Sequence, residues 1–153
     1  SCRRGRFVRL VERSDPSWIR LRNQSNVLWL DHIVIKTAEP EKAKGFYGSG
    51  LGLRLPLDKT FPQWKARMMF FRTAGVTIEV TAAIEKVEQE TDTLWGLAYR
   101  VAEATDERAR LEKDGFIVGD LRPGRKAGTS VFDLKNAPAG IPTLILGRDT
   151  LNA

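Results

Sequence analysis

Leu30-Asp31-His32-Ile33-Val34-Ile35-Lys36-Thr37, followed by Glu39-Pro40-Glu41-Lys42-Ala43-Lys44-Gly45-Phe46-Tyr47, is the stretch whose reading decides the fold. Side chains alternate along a strand, so His32, Val34 and Lys36 share one face while Ile33 and Ile35 share the other. Pro40 suits the first turn of a helix, Ala43, Phe46 and Tyr47 form its apolar face, and Gly48 and Gly50 end it. That helix is expected to cover Ile33 and Ile35, which leaves the His32 face for another purpose. The same order returns downstream: with residue 32 laid on residue 96, His32–Glu39 falls over Gly96–Glu103. The far ends agree as well, Gly75–Val80 matching Gly140–Ile145 with one residue inserted. A duplication of this length makes the chain two copies of one unit.

Working outward, the first copy continues with strands near 52–57, 65–72 and 76–82, separated by a loop at 58–63 and the tight turn Thr73-Ala74-Gly75. The second has a strand at 94–101, a helix capped by Thr105 or Asp106, anchored by Leu111 and ended by Gly115, then strands near 116–121, 129–135 and 142–146. The predicted fold class is α+β: two tandem β-α-β-β-β modules, about 29–83 and 93–148, forming a curled mixed sheet around a shared cavity. An acidic linker at 85–92 separates the modules. Residues 1–27 read as a basic N-terminal extension, in which 5–12 and 18–22 have strand-like composition around Asp15-Pro16-Ser17.

The 153 residues suffice for one domain with a sizeable core, and 42% hydrophobic with 29% charged residues is the balance of a globular protein. No apolar run approaches the ~18 residues of a membrane span. The single cysteine, Cys2, cannot form an internal disulfide, and a cytoplasmic location is expected. Of the net charge of +6, most lies in the extension, where seven arginines face Glu12 and Asp15. The body is nearly neutral, so nucleic acid is not expected as a partner and the extension reads as a solubilising arm.

On the inner face, Thr77, Glu79 and Thr81 share one side of their strand with His32 as the sole histidine of the chain. His32 is read either as a histidine hydrogen-bonded to Glu79 in a polar cavity wall, or as half of a metal site or an acid/base pair. In the second copy Gly96, Ala98, Leu144 and Leu146 share parity and are small or apolar, and Trp95 extends that lining. One wall is therefore expected to be greasy and the other polar, the usual make-up of a small-molecule site. Arg100 lies on the same parity as Gly96. The run Arg122-Pro123-Gly124-Arg125-Lys126 reads as a solvated basic turn or as a clamp over the mouth for an anionic ligand.

Leu-Asp-His32 opening a strand, Phe46-Tyr47 before Leu51-Gly52-Leu53, and Gly75-Val76-Thr77-Ile78-Glu79 closing the module resemble the vicinal oxygen chelate superfamily. That group includes glyoxalase I, extradiol dioxygenases, methylmalonyl-CoA epimerase and the bleomycin-resistance proteins, and the likeness covers about 28–148. It implies a divalent metal held by one residue from the first and one from the last strand of each module. Carried over, this yields His32 and Glu79 from the first module, but Gly96 and Leu144 from the second, which offer no ligand atoms. No cofactor is expected, and a divalent metal would have only the His32–Glu79 half-site. The reading is thus a glyoxalase-like small-molecule-binding protein or metal-independent enzyme, a homodimer with a small organic, anionic ligand. The alternative is a metal-dependent lyase, isomerase or dioxygenase of glyoxalase type, and a third reading is an interaction module with a vestigial cavity.

Overall fold

The computed structural model describes residues 26–85 and 91–149; the arm with its strand-like stretches, Cys2 and most of the acidic linker lie outside the described residues. The first copy comprises β1 (Val27–Lys36), α1 (Pro40–Lys44), a π-helical turn Gly45–Gly50, β2 (Arg54–Phe61), a 3-10 turn Pro62–Trp64, β3 (Ala66–Arg72) and β4 (Thr77–Ala83). The second comprises β5 (Thr93–Glu103), α2 (Ala104–Lys113), β6 (Arg122–Pro123), β7 (Thr129–Leu134), a 3-10 turn Pro138–Gly140 and β8 (Thr143–Arg148).

These strands form one mixed eight-stranded sheet in the order β2-β3-β4-β1-β5-β8-β7-β6, not closed into a barrel. β1 runs parallel to β4 and β5 parallel to β8, as a strand-crossover-strand unit requires, and β1 and β5 join the halves antiparallel. In that seam Ile33 pairs with Leu97, flanked by His32 with Ala98 and Val34 with Gly96. The seam therefore relates the two copies by a pseudo-twofold, which brings residue 32 and residue 96 to equivalent places.

Each copy covers the outer face of its half-sheet with its own helix. Ala43, Met69, Phe71 and Val80 form a buried cluster with Ile35, Tyr47 and Ile78 against it; Val101, Ala104, Leu111, Phe132 and Ile145 form the counterpart under α2. Along β3 the side chains alternate, Met69 and Phe71 lying beneath the helix and Phe70 on the cavity side. Close approach in the second half depends on Gly147: a β-carbon there would lie 2.5 Å from the Ala104 nitrogen, at the junction of β5 and α2.

Several local expectations need correction. Phe46 is 54% exposed, because the helix widens into a π turn in which the Leu51 N–H donates to the Phe46 carbonyl; the wider turn rotates Phe46 off the face that Ala43 and Tyr47 share, and Gly48 and Gly50 lie inside the turn. β2 continues through 58–61, expected as loop, and Asp58 there accepts hydrogen bonds from Arg67 of β3 at 2.7 and 2.8 Å and from Lys44 at 2.7 Å. α2 starts two to three residues earlier than expected, with Glu103 rather than Thr105 or Asp106 at the cap position. Its end is as expected: Gly115, at φ +87°, donates to Glu112 and Phe116 donates to Leu111, the paired bonds of a Schellman motif. Residues 116–121 form no strand beyond a single bridge of Val118 to Leu134, and the edge strand falls at Arg122–Pro123. Among the described residues no helix is long and apolar enough to cross a membrane.

Phe71 and Phe132 are both fully buried, one in each cluster. Truncating either to alanine is expected to lower the unfolding free energy by about 3–5 kcal/mol, measured by urea denaturation. A loss below about 1 kcal/mol at one of them would show that its half contributes no cooperative core.

Candidate functional site

The inner face of the sheet encloses a cavity of about 830 Å³. Its wall includes His32 and Val34 from β1, Phe70 and Arg72 from β3, Thr77 and Glu79 from β4, and Leu144 and Leu146 from β8. Of the residues singled out in the sequence, His32, Thr77, Glu79, Trp95, Arg100, Arg122, Arg125, Leu144 and Leu146 all line it. Thr81, Gly96 and Ala98 do not. Gly96 and Ala98 share the inner face but are buried, too short to reach past their neighbours, and Thr81 pairs with Lys36 at the end of the strand.

Two bulges shape the wall. The β1–β5 register slips between Leu30 and His32, leaving Asp31 as an extra residue, and again opposite Val34 and Ile35, leaving Trp95 as the extra residue of β5. An extra residue breaks the period of two and turns adjacent side chains to one side. Asp31 thus lines the cavity beside His32, and Trp95 lines it beside Gly96, at the equivalent place in the second copy.

The imidazole partner is Asp31: His32 Nδ1 lies 2.9 Å from Asp31 Oδ1. The expected hydrogen bond of His32 to Glu79 is replaced by this one, because the bulge brings the nearer carboxylate onto the same face. A carboxylate only accepts, so Nδ1 carries a proton, and the neutral imidazole in this arrangement has its lone pair on Nε2. Arg100 Nε lies 3.8 Å from the other Asp31 oxygen, with the arginine side chain 17% exposed. Strict alternation hides Asp31 from a sequence reading; the signal that points to it is an acid next to the lone histidine in an otherwise apolar strand.

Glu79 is 6% exposed, and its nearest cation is Arg125, whose Nη1 stands 4.0 Å from Oε1. Burial pushes the Glu79 carboxyl above its usual range, with Arg125 and His32 opposing that shift. Arg125 reaches Glu79 from the far half of the sheet and stacks on Trp64, its guanidinium 4.3 Å from the ring centre. Arg122 takes no part in a free clamp, because both its terminal nitrogens donate to Asp133 at 3.0 Å. Arg72 donates to the Thr77 hydroxyl. The wall carries five basic side chains, Arg72, Arg100, Arg122, Arg125 and Lys126, against Asp31, Glu79 and Asp133.

A divalent ion does not fit these side chains. His32 and Glu79 share the cavity, but Gly96 and Leu144 supply no donor, and among the described residues no three His, Cys, Asp or Glu side chains are grouped to hold a metal. A β-carbon at Gly96 would make ordinary contacts, 3.4 Å to the Pro142 carbonyl and 3.8 Å to Val34, so the half-site is incomplete for want of a donor and not of space for a β-carbon.

Since the folded Glu79 holds its proton more tightly than the unfolded chain, its contribution to stability is full below the ordinary carboxyl range and is lost as pH rises through the raised value. Glu79→Gln is therefore expected to raise the melting temperature relative to the parent at neutral pH and to leave it nearly unchanged at about pH 4. Equal effects at both pH values would contradict the burial argument.

Among solved structures, 164 chains match this fold. They include methylmalonyl-CoA epimerase from Mycobacterium tuberculosis, at 20% identity and a TM-score of 0.66 over 82% of this chain and 91% of that one. A hypothetical protein from Bacillus halodurans C-125 matches at 18% identity and 0.66, over 79% and 94%. A single-substitution variant of Streptomyces coelicolor methylmalonyl-CoA epimerase, in complex with 2-nitronate-propionyl-CoA, matches at 15% and 0.62, over 81% and 96%. At these identities the likeness is one of fold. No curated protein sequence matches the chain. A family model does, across residues 31–132, which span both bulges and the acid-histidine pair: the chain belongs to the glyoxalase/bleomycin resistance protein/dioxygenase superfamily.

Proposed function

We propose that the cavity binds a small organic anion with an acidic C–H beside a carbonyl, and that His32 removes that proton without a metal. The observation that carries this reading is the 2.9 Å bond between Asp31 and His32 inside a cavity whose wall carries more basic than acidic side chains. Asp31 fixes the tautomer and supports the imidazolium that forms when Nε2 accepts the proton. The electron pair left on carbon moves to the carbonyl oxygen, where a cationic side chain such as Arg100 stabilises it. Return of the proton to the neighbouring carbon completes an isomerisation; an epimerisation requires a proton from water on the opposite face of the same carbon, the imidazolium giving its own proton to solvent. The solved epimerases among the fold's neighbours support this class of chemistry.

The site functions as a binding site even where no proton moves, so two measurements separate the roles. A melting screen with organic acids, CoA thioesters and aromatic diols reports binding: a ligand at ~100 times its Kd adds about 2.7 kcal/mol. Proton NMR in D2O reports exchange at the acidic carbon of each ligand that binds. His32→Gln is expected to cut exchange on the order of 10²- to 10⁴-fold, and Asp31→Asn to lower it and displace its pH profile. Binding without exchange would leave a binding protein, and the absence of both would refute the reading.

The metal-dependent alternative makes a different demand. Elemental analysis of protein dialysed without chelator is expected to find well under one zinc, nickel, manganese or iron per chain. Stoichiometric metal lost on His32→Ala would favour a metal-dependent lyase, isomerase or dioxygenase. Gly96→His with Leu144→Glu is expected to raise metal uptake by restoring the missing donors.

A further inference from the structure

We infer that the ligand is an aromatic carboxylate, with its planar ring against Trp95 and its carboxylate on Arg125. This rests on the reading of the cavity as a small-anion site and specifies what the anion carries. The pseudo-twofold puts Trp95 where the first copy has Asp31, and Gly96 where it has His32. One bulge therefore presents a base and the other an indole, with no side chain on the following residue to stand in front of the ring. The indole is 45% exposed, a large apolar surface within a cavity wall that continues through Pro142, Leu144 and Leu146.

One face of that indole is already taken. The Lys36 ammonium lies 4.3 Å over the ring centre, so a ligand ring would lie on the opposite face of this cavity-lining indole. A cation on one face draws π density toward itself, which favours an electron-rich ring on the other. Aliphatic groups of equal size gain burial there but not this term.

Arg125 is built as the anchor. Trp64 lies against its guanidinium at 4.3 Å, and Phe61 packs on Trp64 with ring centres 4.9 Å apart, so an aromatic pair supports the planar fork. Its approach to Glu79, at 4.0 Å, is too long for a hydrogen bond, and Arg125 makes no hydrogen bond to another described residue. Arg122, by contrast, is fully engaged by Asp133. The spacing suits a short linker: Trp95 lies beside Val34 and Ile35, two to three residues along β1 from His32, roughly 7–10 Å at the strand rise. An aryl ring joined through one or two atoms to the carbon that His32 addresses spans that distance.

Calorimetric titration of the full chain with 2-naphthylacetate, its saturated decahydronaphthyl analogue and 2-naphthylacetamide tests the inference. The aromatic carboxylate is expected to bind roughly three- to ten-fold tighter than the saturated one. Trp95→Leu should erase that ratio while keeping affinity for the saturated acid, and Trp95→Phe should retain much of it. Arg125→Gln should weaken naphthylacetate roughly 10- to 100-fold and leave the neutral amide unchanged. Equal affinity of the aromatic and saturated acids, or a ratio that survives Trp95→Leu in a cooperatively folded variant, overturns the aromatic subsite and leaves the anion reading standing. Binding of neither acid overturns both.

Discussion

Ladder hydrogen bonds between β1 and β5 hold together two half-sheets that would otherwise each end in an exposed central edge. Everything else is arranged around that seam. Each half supplies a parallel neighbour to its seam strand and a helix over its outer face, so the fully buried residues of each core all come from one copy. The shared element is the inner cavity, which exists only because the seam sets the halves side by side. The slips in its register matter as much as its bonds, since those at Asp31 and Trp95 each leave one residue over and turn it inward.

How far this is legible in the sequence follows from the range over which each feature is determined. The duplication, the shared cavity face of His32 and Val34, and the anchoring of the helices by Ala43 and Leu111 are local patterns, and they stand in the structure. Phe46 is misjudged because an α-helical period does not describe a π turn, whose extra residue per turn is not written in residue type. Residues 116–121 have strand composition but follow directly on the Schellman turn, and only Val118 reaches a neighbour. Asp31 is hidden for a different reason. Its orientation depends on the pairing of residue 30 with residue 99 and of residue 32 with residue 98, a long-range fact that no window around His32 contains.

The same backbone repeated twice gives walls of opposite character. In the first copy the inward places around the seam hold an acid, a histidine and a buried glutamate; in the second they hold a tryptophan, a glycine and a leucine. A fold whose function resides in such places can change chemistry without changing topology, which is why membership of a superfamily fixes the scaffold here and leaves the reaction to particular side chains.

Leu144 illustrates how one such exchange affects the others. It stands where the first copy has Glu79, and with Leu146 and Pro142 it makes the facing wall apolar. An apolar wall lowers the local dielectric, raises the cost of a charged Glu79, and strengthens any interaction that does reach it. Arg125 is the group that crosses the cavity toward Glu79, and it is kept there by the indole of Trp64 rather than by a direct hydrogen bond. The acid that a metal would have held is thus left buried beside a stacked cation, an arrangement that tolerates its charge without fixing its protonation. The carboxylate in hydrogen-bond contact with His32 is that of Asp31. With Gly96 and Leu144 offering no ligand atoms, it is this sequence neighbour that orients the histidine, and the cation nearest the buried Glu79 is Arg125.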